Sequence, residues 1–234
     1  MTTLTTAPRP IGEGLWVIDH LASLPLGVRM PLCATVVRLR DGGLWVHSPT
    51  PLSPELAAAV EGLGPVRDVV APNRFHHLSA GAWAERFPGA RLWGAPGLPE
   101  KRRDLSFAGV LDNGATAPWA NEIAPLPLAG APAMNEVVFF HAASRTLVCT
   151  DLLFNVRKPA STMTSFILTL VGTKGRFAMS RLWWWYARDR AALKVSVEKM
   201  LAWDFARVIP AHGEVYESAT ANGDTRAALA WMLR

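Results

Sequence analysis

Twice along this chain a group of strand-like segments gives way to a helix, a further strand and a loop. That repeated order limits the fold more than any single motif does. In the first half GLWVID (14–19), CATVVRLR (33–40) and GLWVHS (43–48) carry the β-branched and aromatic residues of strands, and Arg40 to Gly43 supplies a hairpin turn. Ser53 then caps a helix over 53–64, with Pro54 at its first position and Glu55 behind it. VRDVVAP (66–72) returns as a strand, followed by a short amphipathic helix at 80–87 and a strand RLWG (91–94). The second half restarts with EIAPLPL (122–128), NEVVFFH (135–141) and RTLVCTDLLF (145–154). After an irregular stretch come an aromatic helix at 181–190 and a helix at 191–205, whose Leu193, Val197, Met200, Leu201 and Trp203 lie mostly on one face. RVIPAHGE (207–214) reads as a strand ending in a His-Gly turn, and a helix at 225–233 closes the chain. This order predicts one layered α/β domain over 1–234, with helices covering sheets.

Composition agrees with a domain that has a substantial core: half of the residues are apolar and 18% are charged. The best apolar run, SFILTLVG (165–172), is about half the length a bilayer span needs, so no membrane span is expected. MTTLTTAPRP lacks the apolar stretch of a secretory leader, which points to a cytoplasmic protein. Cys33 and Cys149 sit in apolar strand-like runs and read as buried free thiols. A net charge of +5 raises the question of a nucleic-acid partner. The basic residues are scattered, with one dense cluster, KRR at 101–103, so a small-molecule substrate is the better expectation. No G-x-S-x-G elbow, phosphate-binding loop or G-x-G-x-x-G turn is present.

One short stretch, APNRFHHLSAG (71–81), sets two adjacent histidines just past a buried strand. Alone, the pair suits a metal site, the remnant of one, or a polar turn. The order of landmarks resembles that of the metallo-β-lactamase fold superfamily, over nearly the whole chain. GEGLWVID (12–19) is similar to its opening strand, and TVVRLRDGGLWVHSP (35–49) to the hairpin that follows. RTLVCTDLLF resembles the strand ending in a metal-bridging aspartate, here Asp151, and VIPAHGE (208–214) the segment with the last metal histidine, here His212. The resemblance implies a four-layer αββα sandwich, in an uncharacterised, divergent branch of the superfamily.

The departures bear on chemistry. With Gly81 aligned to the family's glycine, the positions of its His-x-His-x-Asp-His motif fall on Arg74, His76, Leu78 and Ser79. One register earlier they fall on Asn73, Phe75, His77 and Leu78. No histidine stands near Gly130 or Ala131, where another ligand belongs; the polar groups nearby are Asn135 and Glu136. What the resemblance leaves is a reduced, mononuclear set: His76 or His77, Asp151 and His212. Two imidazoles and a carboxylate suit one Zn or Fe ion with open positions, which activates a water toward a carbonyl or phosphoryl centre. Leu78 occupies the place of the family's water-orienting aspartate, leaving that role to Asp151 itself, Glu136, Glu214 or His77. The reaction implied is hydrolysis, of a substrate that the variable loops 95–120 and 155–180 would select.

A reading of another class stands beside it: a metal-free member that binds a small ligand or a partner protein, with Asp151 capping amides and His212 paired to it. His20, His47 and His141 read as non-ligands, His141 as exposed at a turn. Three consecutive tryptophans, Trp183 to Trp185, cannot share one helix face. A lining of the pocket mouth, a dimer contact and a membrane-surface anchor are the open readings; core packing with a share of the pocket wall is the first expectation, and contact in a homodimer the second.

Overall fold

The computed structural model describes residues 7–112 and 117–234. The leader reading at 1–6, and the part of the 95–120 loop at 113–116, lie outside the described residues.

The first sheet takes its strands in chain order: β1 (Arg9–Gly12), β2 (Leu15–Leu24), β3 (Val28–Arg38), β4 (Leu44–His47), β5 (Val66–Ala71), β6 (Arg91–Gly94) and β7 (Gly109–Val110). β1 to β4 pair antiparallel, whereas β4 to β7 run parallel, joined through α1 (Pro54–Glu61), α2 (Ala80–Arg86) and α3 (Leu98–Lys101). Parallel neighbours need such crossovers, which is why helices appear where the pairing changes sense. Ser53 caps α1 as expected, its side chain accepting from the Leu56 amide.

The second half supplies β8 (Ile123–Pro127), β9 (Val137–His141), β10 (Thr146–Val148), β11 (Phe154–Asn155), α4 (Thr162–Leu170), β12 (Phe177–Ala178), α5 (Trp183–Tyr186), α6 (Arg190–Leu201), β13 (Arg207–Ile209), β14 (His212–Gly213), β15 (Tyr216–Glu217) and α7 (Ala221–Ala228). The second sheet has the order β15-β13-β10-β9-β8, and a small third sheet β12-β11-β14.

Alternation along the strands makes the layers. Val17, Cys33, Val37, Trp45 and Val70 of the first sheet meet Ile123, Val137, Phe139, Val148 and Ile209 of the second in a shared core. The opposite face of the first sheet, with Ile18, Ala34, Val36 and Val46, buries against Leu56, Val60 and Trp83 of α1 and α2. The opposite face of the second, with Val138, Leu147 and Val208, buries against Leu193, Val197 and Met200 of α6 and Leu229 beyond α7. The result is an αββα sandwich. Both cysteines are buried and free; burial pushes both thiols up from their ordinary range.

Several expectations need correction. The segment between residues 20 and 32, expected as a loop, is the outer half of a long hairpin. β2 and β3 pair over ten residues each, from Leu15↔Val37 to Leu24↔Val28, around a tight turn at Pro25–Gly27. The stretch after residue 154 holds α4, capped by Ser161, whose side chain accepts from the Thr164 amide. The aromatic helix is the single turn Trp183–Tyr186, and the last helix begins at Ala221. The strand expected at 145–154 stops at Val148 and the one at 207–214 breaks after Ile209. Both breaks free the chain to turn toward the site. His141 is buried rather than exposed, its Nδ1 2.7 Å from Ser144 Oγ.

Candidate metal centre

Three side chains converge beyond the C-terminal ends of β5, β10 and β13. His76 Nε2 lies 3.2 Å from His212 Nε2 and 3.4 Å from Asp151 Oδ2, and His212 Nε2 lies 3.2 Å from Asp151 Oδ1. Of the four candidate ligands the structure brings together these three. They also form a group of metal-capable donors close enough to share one ion.

Each is aimed by a group the sequence does not flag. His212 Nδ1 is 3.0 Å from the Pro31 carbonyl oxygen on β3. A carbonyl only accepts, so that ring nitrogen carries a proton, and Nε2 is the nitrogen turned to the cluster. Phe154 stacks on the His212 ring, 4.6 Å between centroids. His76 Nδ1 is 2.8 Å from Ser48 Oγ, and Ser48, just past β4, has a left-handed backbone (φ 52°). A non-glycine residue in that region signals strain, here spent on presenting the hydroxyl to His76.

Asn73 ties the loop to the aspartate. Its Oδ1 accepts from the amides of Phe75 (2.8 Å) and His76 (2.7 Å), which makes the turn that carries His76. Its Nδ2 donates to Asp151 Oδ2 at 2.6 Å and to Thr150 Oγ1 at 2.9 Å. The signal in sequence is a Pro-Asn pair directly after a strand. Trp183, fully buried, donates its indole N–H to the Asp151 carbonyl at 2.9 Å, so one tryptophan of the triple run is core and holds the aspartate's backbone. The imidazoles beside Asp151 hold its carboxyl far below the ordinary carboxylate range, against the opposing pull of burial.

Two expected participants are not in the donor cluster. His77 is 3.0 Å from Arg102 Nη1 through its Nδ1, so that nitrogen accepts and the ring is neutral; burial, then Lys101 and Arg102, lower its pKa. The His-His pair is thus divided, one ring in the cluster and one on an arginine. Glu136 is fully buried, and its carboxylate accepts from the backbone amides of Thr150 (2.8 Å), Asp151 (3.0 Å) and Leu152 (3.2 Å). Its oxygens are spent on the turn that carries Asp151, which corrects its expected part in orienting a water. Burial, then the Asp151 charge, push this carboxyl above the ordinary range, and those amides pull it back. His47 faces the inter-sheet core, stacked on Trp45, and burial lowers its pKa to about 3.

Beside the cluster opens a cavity of about 270 Å³ whose walls are largely apolar: Leu24, Met30 and Leu32 of the hairpin, Pro49 and Pro51, Phe75 and Leu78, with His76, His77 and His212 also lining it. Trp183 to Trp185 are not among its lining residues.

The donor set fits a small divalent ion. Two ligands about 2.0–2.1 Å from a tetrahedral centre are about 3.3–3.4 Å apart; here the two imidazole nitrogens are 3.2 Å apart, and each lies 3.2 or 3.4 Å from one of the two Asp151 oxygens. Each imidazole is fixed through its other nitrogen, the usual outer arrangement around a metal.

Comparison with known proteins agrees with this architecture. The metallo-β-lactamase of Hirschia baltica superposes with a TM-score of 0.65 at 13% identity, covering 97% of each chain. A metallo-β-lactamase of Pseudomonas aeruginosa in its mono-zinc form gives 0.62 at 16% identity, over 97% of this chain and 92% of that one. A flavodiiron core from Synechocystis sp. gives 0.63 at 11% identity, over 96% of this chain and 60% of that one. At such identities the likeness establishes the fold alone. No curated protein matches the chain. A family model described as a domain of unknown function, DUF4336, matches residues 12–173. The chain belongs to that family, and its fold is that of the metallo-β-lactamases.

Proposed function

We propose that this chain is a metal-dependent hydrolase with a reduced, mononuclear site, one zinc or iron ion being held by His76, Asp151 and His212. The observation that carries the reading is the convergence of His76 Nε2 and His212 Nε2, 3.2 Å apart, on the Asp151 carboxylate, whose Oδ2 lies 3.4 Å from the first and whose Oδ1 lies 3.2 Å from the second. Without a cation, the His212 Nε2 lone pair would face a carboxylate oxygen, a repulsive arrangement that a proton or a metal ion relieves. When bound, such an ion supplies Lewis acidity and a water acidic enough to ionise near neutral pH.

The chain's own groups do the rest. The Pro31 carbonyl and Ser48 Oγ fix the two rings, and Asn73 and Trp183 fix Asp151, so the site is set before substrate arrives. With Glu136 held by amides, Asp151 is the one carboxylate at the cluster among the described residues, and its place there is that of a ligand. The apolar walls suit a substrate with a hydrophobic part.

The test is elemental mass spectrometry on protein purified without chelator or nickel resin, wild type beside His212→Ala. About one zinc or iron per chain, lost in the variant, supports the reading and directs screens to esters, thioesters and phosphodiesters. No metal in either, even after zinc is added, would leave a metal-free binding scaffold instead.

A further inference from the structure

From residue 152 to residue 188 the chain contains six cationic side chains, Arg157, Lys158, Lys174, Arg176, Arg181 and Arg188, and no Asp or Glu. All six are exposed, and none forms an ion pair with a carboxylate among the described residues. Charge in this protein is otherwise mixed, so an acid-free run of this length is a local feature.

The same segment exposes large apolar side chains. On α4, Thr164 and Leu168 face inward, while Met163, Phe166 and Leu170, at helical spacing on the opposite face, are exposed, the last two at 59% each. On α5, Trp183 is buried, whereas Trp184 and Trp185 project, Trp185 at 78%. The hairpin tip adds Leu24 and Leu26, the latter 84% exposed.

These pieces adjoin one another. Ser161 Oγ donates to the Gly27 carbonyl, and Thr164 Oγ1 bonds the backbone of Arg29 at both its N–H and its carbonyl, which locks the hairpin tip to the start of α4. At the other end of α4 the Arg181 amide donates to the Val171 carbonyl, and the Arg181 guanidinium lies 5.9 Å from the Trp184 ring centroid. Leu24 also lines the cavity beside the candidate metal centre, so the surface reaches the mouth of the site.

Exposed tryptophan, phenylalanine and leucine on a segment whose cations have no carboxylate partner among the described residues match the chemistry of one partner in particular. A bilayer interface takes up aromatic and aliphatic groups at headgroup depth, while anionic headgroups receive the cations. Nucleic acid would offer no reason for the aliphatic knobs, and a protein partner would have to be acidic and apolar at once, as an anionic bilayer surface already is. We propose that the hairpin tip, α4 and α5 form a docking surface for anionic phospholipid bilayers, which sets the cavity mouth at the lipid–water boundary. This is peripheral attachment, and it does not depend on whether the centre binds metal.

The experiment is flotation of the whole protein with vesicles of phosphatidylcholine alone and with phosphatidylglycerol admixed, at low and high salt. Binding is expected to the anionic vesicles, to weaken at high salt, and to be at least about tenfold weaker on pure phosphatidylcholine. Lys158→Glu with Lys174→Glu, and separately Leu26→Ser with Phe166→Ser, should each lower partitioning about tenfold or more. Val195→Ser, which removes an exposed apolar residue of α6, should leave it unchanged. All three variants change exposed side chains, and an unaltered thermal midpoint would certify their fold. Absence of flotation with anionic vesicles would overturn the proposal, as would equal flotation by every variant. So would sedimentation as a dimer that the Leu26 and Phe166 changes abolish, without vesicle binding, which would make the surface a self-interface. Because the readout is lipid binding, a metal-free preparation answers it equally well.

Discussion

Glu136 shows how much of this site rests on a residue that never touches it. A fully buried carboxylate accepts three successive amides at the turn after β10, and Asp151 is one of the residues so held. Glu136→Gln keeps the shape but replaces one acceptor oxygen with an NH₂ group that points at an N–H. Loss of about 3 kcal/mol is expected in urea unfolding, together with reduced metal uptake. A loss near zero would show that the carboxyl is protonated in the folded protein, since a neutral acid and an amide are then near equals. At this scale the sequence was legible where it kept a family segment. The resemblance of TDLLF and IPAHGE to metal-ligating segments pointed to Asp151 and His212, and both are in the cluster. The sequence was not legible where the partner is backbone or remote: the Pro31 carbonyl, Ser48 Oγ and the split of His76 from His77 depend on contacts between residues far apart in sequence. Asn73 was visible as an alternative motif position but not as the tie between two loops.

Among the elements, the two-residue strand β14 has the most exacting job, since it carries His212 into the cluster. It pairs parallel with β11, Phe154↔His212 and Asn155↔Gly213. Gly213 has φ +105°, and a Cβ there would stand 2.3 Å from the carbonyl carbon and oxygen of Asn155. Neither the conformation nor the space admits a side chain. Gly213→Ala should cost at least about 2 kcal/mol, through strain and a forced separation of β11 from β14. It should also displace His212, visible as metal loss beyond what the stability change explains. Circular dichroism with elemental analysis would check both, and a stable, fully metallated variant would refute the assigned role. Strand and helix order was readable because burial on one face imposes its period on the sequence. The outer hairpin was not, because Pro25, Gly27 and Pro31 look like loop residues until ten paired positions are seen to hold them. Nor was α4, whose exposed apolar face departs from the amphipathic pattern that marks a helix packed on a core.

In the whole molecule the cluster joins parts that the chain supplies separately: the loop after β5 in the first half, the turn after β10 and the strand β14 in the second, and the hairpin strand β3 as outer support. The Cys33 amide donates to the Ala211 carbonyl at 2.8 Å, one residue before His212, so the two halves are already tied beside the site. An ion held by all three side chains would bridge the halves and bind the folded state alone. At one hundred times its dissociation constant, such a ligand adds about 2.7 kcal/mol to stability. For a chain of this length that corresponds to roughly 5–10 °C in the unfolding midpoint. Titration of chelator-treated protein with zinc should therefore raise the midpoint by that amount in wild type. The rise should vanish in Asp151→Ala, His76→Ala and His212→Ala, but persist in His77→Ala, because the His77 ring is engaged by Arg102. A shift that survives loss of any one of the three would place the ion elsewhere. A shift that disappears with His77 would mean that the loop rearranges on binding, and that the neutral ring now turned to Arg102 enters the coordination sphere.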